Sequence, residues 1–508
     1  MKNKNSVLII GIDGGSWNLL RPWMDDGKLP TLKRFLEMGT TANLRTTIPP
    51  LSCSAWTSFF TGKNPGKHGI YEYLTESGEL VNSNLIKSRK IWQVLSSYDK
   101  RCCIVNVPMT YPVDKINGCM VGGFLTPPDE KVYSYPKELM SLLKKNHYKI
   151  LYTFLPDQKD VSEKKYKVLA ELYDMLEKRY LTLKQLMNEE WDFFMVVFEE
   201  TGTLQYLFWD EKEIMLKFFR KLDFYINDLI NIYSAKNHKN HIFVVSDHGY
   251  NAAPKRCFNI RKWMENNGIL KDKRSLLQKI IPKVYRTLYG VSIFKQIFNF
   301  SKTKEIRESF NREIAESSQI FYRYPGIYIN RKGTDDKEYE ELRNNMIAQL
   351  RNTKDPVTDE TVFQIVEKRE TEYHGDSIKF APDIVAIPTH NYAVVFSFES
   401  NKSFEDMKLY HPGRHFSDMY GLFFVYGEDI QKSSIKEVSI LDIYPTVLHI
   451  LGVPTPKDVD GKVLKEIFKK NSNLRNKEIV LTQEDDSMLN EKSKIKDSLK
   501  KLKYKLLF

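Results

Sequence analysis

No stretch of this 508-residue chain offers about 18 consecutive apolar residues, so no transmembrane helix is expected. The apolar run near the start, Val7–Ile12, stops at Asp13, too short for a secretory signal. Cysteine is scarce: Cys53, Cys102, Cys103, Cys119 and Cys257 are odd in number and form no CxxC pair. That excludes a disulfide scaffold and a zinc ribbon, and implies reduced thiols in an intracellular, cytoplasmic protein. The glycines of Gly11-Ile12-Asp13-Gly14-Gly15 lack the GxGxxG spacing of a dinucleotide site. Internal repeats are absent, and the only biased segment is the lysine-rich end.

Acidic residues are missing from two places. Lys271–Lys304 carries nine Lys/Arg against Asp272 alone, a net +8, and Lys492–Phe508 seven Lys against Asp497, a net +6. The whole chain is +12, so the remainder is close to neutral. The basic character is therefore local, and no nucleic-acid groove is expected through the core. Between 276 and 298 apolar residues recur near a helical period, with Lys and Arg between them. Such a segment either caps a site or lies on an anionic membrane surface.

What is present is an alternation of strands and helices. Val7–Ile12 is a continuous apolar run ending in an aspartate, the profile of a central parallel strand. Cys102–Val107, Phe193–Phe198 and His241–Val245 repeat that profile, with helices expected at 29–38, 91–97, 164–187, 211–233 and 440–451. Further strands are expected at 326–329, 383–387 and 421–426. This pattern implies one large, mostly parallel sheet with helices on both faces. In such sheets, ligand sites lie at the carboxyl ends of the strands.

The residues at those ends carry chemistry. Asp13 follows the first strand, and Ser246-Asp247-His248-Gly249 follows the strand ending at Val245. Ser52 stands at the mouth of a short helix after Pro49-Pro50. A serine there is either an N-cap or a nucleophile facing the positive end of the helix dipole. Asp247-His248 is either a cap beside a surface histidine or a ligand pair. His415, in GRHFSD, completes a set of carboxylates, imidazoles and a hydroxyl suited to zinc or a similar divalent ion.

In this order the motifs VLIIGIDGG, TSFFTGKNPGKHGI, VNVPMTYP, VVSDHGY, HGD…APDIVAIP and DIYPTVLHILGVPTPKDVDGK resemble the alkaline phosphatase superfamily. The closest likeness is to its type I phosphodiesterase/nucleotide pyrophosphatase branch, over about residues 5–270 and 320–505. The resemblance implies a three-layer αβα fold with a large, mostly parallel sheet. Residues 1–268 and 318–470 would form the catalytic core, 269–317 a helical basic insert or lid, and 471–508 a lysine-rich helical tail. It also implies a metal on Asp13, Ser52, Asp247 and His248, with Ser52 as catalytic nucleophile and His415 on a second metal. Zinc is the expected ion, with manganese or magnesium as alternatives. Ser52 stands where most of the branch has threonine.

The chain departs from that pattern at Gly202 and Tyr206, where the branch has an aspartate and a histidine on one helix face, and at Tyr73, where it tends to have an asparagine. Glu199, Glu200 and Asp210 are nearby carboxylates that either substitute as ligands or are solvated helix-end charges. Two functions follow. One is a metal-dependent phosphoric ester hydrolase or phosphoryl transferase, acting on a phosphorylated small molecule, lipid or glycan. The other is a degenerate member that binds a phosphorylated ligand or a partner without efficient turnover. Contact with an anionic membrane would run through 271–304 and 492–508, at the inner membrane surface.

Overall fold

The computed structural model describes residues 4–75, 78–150, 161–236, 239–270, 320–331, 334–397, 400–407 and 416–483. The basic stretch 271–304, His415 and the lysine-rich end 492–508 lie outside the described residues. Its centre is a nine-stranded sheet. The strands β1 (Asn5–Ile12), β2 (Thr40–Arg45), β3 (Cys102–Val107), β4 (Gly118–Gly122), β5 (Ser134–Tyr135), β6 (Phe193–Phe198) and β7 (Lys239–Val245) are joined by Tyr420–Gly427 and Ser433–Ser439. The spatial order is Ser433–Ser439, β2, Tyr420–Gly427, β7, β1, β6, β3, β4, β5. The five strands β7, β1, β6, β3 and β4 are mutually parallel. Tyr420–Gly427 runs antiparallel to both its neighbours.

The layers follow from the alternation along β1. Leu8, Ile10 and Ile12 face a core shared with helices Trp17–Asp25, Val161–Leu186 and Lys212–Lys236. Val7 and Ile9 face the opposite core, built on helices Ser52–Thr61, Ile91–Ser97 and Ile443–Leu451. Because successive strand side chains point to opposite faces, an unbroken apolar run needs a helical layer on each side. The result is the three-layer αβα arrangement with a mostly parallel central sheet.

The strands Gly326–Ile329 and Ile384–Pro388 do not join that sheet. With Ile320–Arg323 and Phe363–Lys368 they form a separate four-stranded antiparallel sheet. Helices Ile260–Asn266 and Asp336–Arg351 cover it and share its core. Among the described residues no helix is long and apolar enough to cross a membrane.

Register fixes where the site lies. Ile12 pairs with Phe198 on β6, and Gly11 pairs with Val245 on β7. The segments that follow β1, β6 and β7 therefore emerge side by side, bringing Asp13, Glu199 and Asp247-His248 to one end of the sheet.

Candidate active site

Ser52 is the first residue of helix Ser52–Thr61, preceded by Leu51 in extended conformation (φ −121°, ψ 135°). Leu51 holds the cap position and no side chain caps this helix end. Ser52 is thus not an N-cap. Its buried hydroxyl instead lies 3.2 Å from His248 Nε2. The free N–H groups of the helix's first turn give that end partial positive charge.

His248 is held by its other ring nitrogen. Nδ1 lies 2.9 Å from the Gly249 carbonyl oxygen, which can only accept, so Nδ1–H donates. In the neutral ring the Nε2 lone pair then faces Ser52 and, at 3.3 Å, Asp247 Oδ2. Asp247 Oδ1 accepts from the Gly14 amide at 3.1 Å, while its buried Oδ2 has no hydrogen-bond donor.

Asp13 sits between these groups. The Ser52 hydroxyl and the Trp56 indole are its polar neighbours, each favouring the charged carboxylate. Burial, then the charges of Asp247 and Glu199, push its carboxyl well above the usual carboxylate range. Among the described residues neither Asp13 nor Asp247 has a Lys or Arg partner. Ligand atoms of Asp13, Asp247 and His248 lie within 4.8 Å of one another. Two buried carboxylates without a counter-charge, an orphaned oxygen and an oriented imidazole are the donor set that a divalent ion fits.

Trp56 went unnoticed in the sequence, although it lies four residues after Ser52 on the same helix and so shares its face. A Cβ on Gly11 would fall 2.6 Å from the Trp56 ring, so glycine in β1 lets the indole lie flat beneath the strand.

On the β6 side the three candidate substitutes separate. Glu200 is fully buried in an ion pair with Arg179 at 2.7 Å, and Arg179 also donates to the Tyr148 hydroxyl. Oε1 of its carboxylate is held in that pair, while Oε2 has no donor. Asp210 is exposed beyond the helix Glu200–Phe208. Glu199 is the one that faces the site. It is buried, Oε1 has no donor, and burial together with Glu200 raises its carboxyl to about 8. Gly202 lies so close that an added Cβ would sit 2.2 Å from Asp13 Oδ1. Tyr206 follows one turn later and is half-buried. Tyr73 is half-buried, and burial pushes its phenol well above the ordinary value.

The structure therefore brings Asp13, Ser52, Asp247 and His248 together, while His415 lies outside the described residues. A family model described as type I phosphodiesterase/nucleotide pyrophosphatase matches residues 7–415. No curated protein matches the chain by sequence. Among solved structures, human ectonucleotide pyrophosphatase/phosphodiesterase 5 is similar at a TM-score of 0.53 and 12% identity, covering 92% of this chain and 100% of its own. The alkaline phosphatase PafA gives 0.53 and 15%, covering 92% and 99%. Phosphonoacetate hydrolase from Sinorhizobium meliloti 1021 gives 0.55 and 14%, covering 89% and 96%. At these identities the three are likenesses of fold.

Proposed function

Because the chain belongs to the type I phosphodiesterase/nucleotide pyrophosphatase family, it is a phosphoric-ester hydrolase of the alkaline phosphatase superfamily, and we propose that it works through Ser52 as a nucleophile. The observation that carries this reading is the position of Ser52 Oγ, 3.2 Å from His248 Nε2 at the edge of the buried Asp13, Asp247 and His248 cluster.

Asp13, Asp247 Oδ2 and His248 Nε2 would hold one divalent cation with Ser52 beside it, and zinc suits the mixed carboxylate and imidazole set. When bound, such an ion supplies the charge that favours a serine alkoxide and polarises a phosphoryl oxygen. The residues do the rest. Ser52 and Trp56 flank the Asp13 carboxyl, and the Gly14 amide fixes Asp247. Ser52 Oγ gives up its proton and forms a bond to phosphorus as the bond to the leaving oxygen breaks, and that oxygen takes up a proton as it departs. Water or an acceptor hydroxyl then attacks the phosphoseryl group, and Ser52 regains its proton as the Oγ–P bond breaks. The start of helix Ser52–Thr61 faces the charge that develops in both steps. The substrate is a phosphorylated small molecule, lipid or glycan.

A second reading, ligand binding without efficient turnover, has one observation in its favour: Gly202 offers no ligand atom on the β6 side. Hydrolysis of bis-p-nitrophenyl phosphate and its monoester, with zinc, manganese or magnesium, separates the two. Ser52→Ala is expected to abolish turnover while leaving the melting temperature nearly unchanged, since no helix cap is lost. An active Ser52→Ala protein would sink the nucleophile assignment.

A further inference from the structure

All five cysteines of the chain are reduced and buried, and two of them meet. Cys103 on β3 and Cys119 on β4 stand in register across this parallel pair. Their Sγ atoms lie 3.2 Å apart, with the Cys119 S–H donating. The other three are placed elsewhere. Cys102 alternates to the opposite face of β3 and joins the core that holds the Ser52 helix, where Cys53 also lies. Cys257 sits in a small cluster with Ala393 and Met407. Cys103 and Cys119 share the core on the other side of the sheet, with helices Leu139–Lys145 and Val161–Leu186.

The pair is spaced for a covalent link. Its sulfurs stand roughly 1.2 Å farther apart than in a disulfide bond. In-register residues on neighbouring strands are about 4.8 Å apart, inside the range of about 4.4–6.8 Å that a disulfide spans between Cα atoms. Small side-chain rotations close the gap, and neither strand has to slide. The two thiols differ in access. Cys103 is fully buried, whereas Cys119 keeps 7% of its surface exposed. An oxidant arriving from solvent meets Cys119 first, with Cys103 in place as the second thiol.

We propose that Cys103 and Cys119 form an oxidative modification site, a dithiol that a hydroperoxide converts to a reversible disulfide. Cys119 Sγ attacks one peroxide oxygen and the O–O bond breaks, leaving a sulfenic acid and releasing water. Cys103 Sγ then attacks Cys119 Sγ, the S–O bond breaks, and a second water carries off the oxygen and the Cys103 proton. Each sulfur gives up one electron, and the peroxide takes up both. Exchange with a small thiol restores the pair. Burial pushes the Cys103 thiol up, and the thiolate is the attacking form, so closure is expected to be faster at about pH 9 than at about pH 7. The pair lies on the face of the sheet away from the Ser52 helix, so the proposal does not rest on the serine-nucleophile reading.

The test treats the full-length folded chain with hydrogen peroxide, then unfolds it in urea, alkylates the remaining thiols and maps the peptides by mass spectrometry. Two of the five thiols are expected to be lost, in a peptide pair joining Cys103 to Cys119, and dithiothreitol should return all five. Cys103→Ser and Cys119→Ser are each expected to form no disulfide under the same treatment. Five alkylated thiols after peroxide would overturn the proposal. So would oxidation that stops at a sulfinic acid on Cys119, because Cys103 would then have failed to close the bond. A mixture of disulfides involving Cys53, Cys102 or Cys257 would overturn it as well, since such pairings come from unfolded chains. If a serine variant fails to fold, the peptide map of the unmodified chain decides by itself.

Discussion

At the scale of single residues, Gly202 decides more than any other position on the β6 side. Where the resemblance implies an aspartate, the structure has no room for a side chain, because Asp13 Oδ1 already occupies the space. Restoring the carboxylate would push Asp13 aside and add a fourth acid near Asp13, Asp247 and Glu199. Gly202→Asp is therefore expected to lose the bound metal, with affinity falling at least tenfold, and not to gain a second ion. Elemental analysis after exhaustive dialysis checks this. The unmodified chain should retain one equivalent of zinc and the variant less. Two equivalents in either protein would show that a second ligand set exists.

At the scale of elements, the short helix Pro65–His68 carries a pH-sensitive contact. His68 is buried, Nδ1 accepts from the Ile70 amide at 3.1 Å and Nε2–H donates to Ser58 Oγ at 2.9 Å. Both nitrogens are committed in the neutral ring. Adding a proton to Nδ1 breaks the bond from Ile70 and buries a charge. Burial accordingly lowers the His68 pKa from 6.5 to about 3. A folded-state pKa below the unfolded one means the unfolded chain takes up the proton first. The stability His68 contributes is complete above pH 6.5 and is lost as pH falls from there towards 3. The expected slope is about 1.4 kcal/mol per pH unit from this one residue. Urea unfolding between pH 7 and 4 measures it, and His68→Gln should flatten the curve. An unchanged slope in that variant would mean His68 is protonated in the folded state.

At the scale of the whole molecule, charge is segregated. The segments 271–304 and 492–508 carry net +8 and +6, outside the described residues, while the rest of the chain is near neutral. We propose that this asymmetry draws the chain to anionic bilayers, each basic residue near the surface adding about 1 kcal/mol at low ionic strength. Co-sedimentation with vesicles containing anionic lipid is expected at low salt, fading as salt rises through 0.15 M. Equal sedimentation with neutral vesicles would rule the attraction out.

What the sequence alone determined was the sheet core and the residues at its rim. Apolar runs rich in β-branched residues at 7–12 and 242–245 read as strands covered on both faces, and polar residues directly after them leave the sheet at one end. Asp13, Asp247 and His248 were legible for that reason, and Ser52 from its place at a helix mouth. Tertiary structure decided what each residue could do. The choice of Leu51 over Ser52 as the cap residue, and the pairing of Glu200 with Arg179, depend on contacts formed only in the folded chain. Asp13 filling the space at Gly202 depends on them equally. The strands at 326–329 and 384–388 pair in their own antiparallel sheet for the same reason. Periodicity records whether a residue is buried. Its partners are set by the register of β1 against β6 and β7, across about 185 to 235 residues of chain.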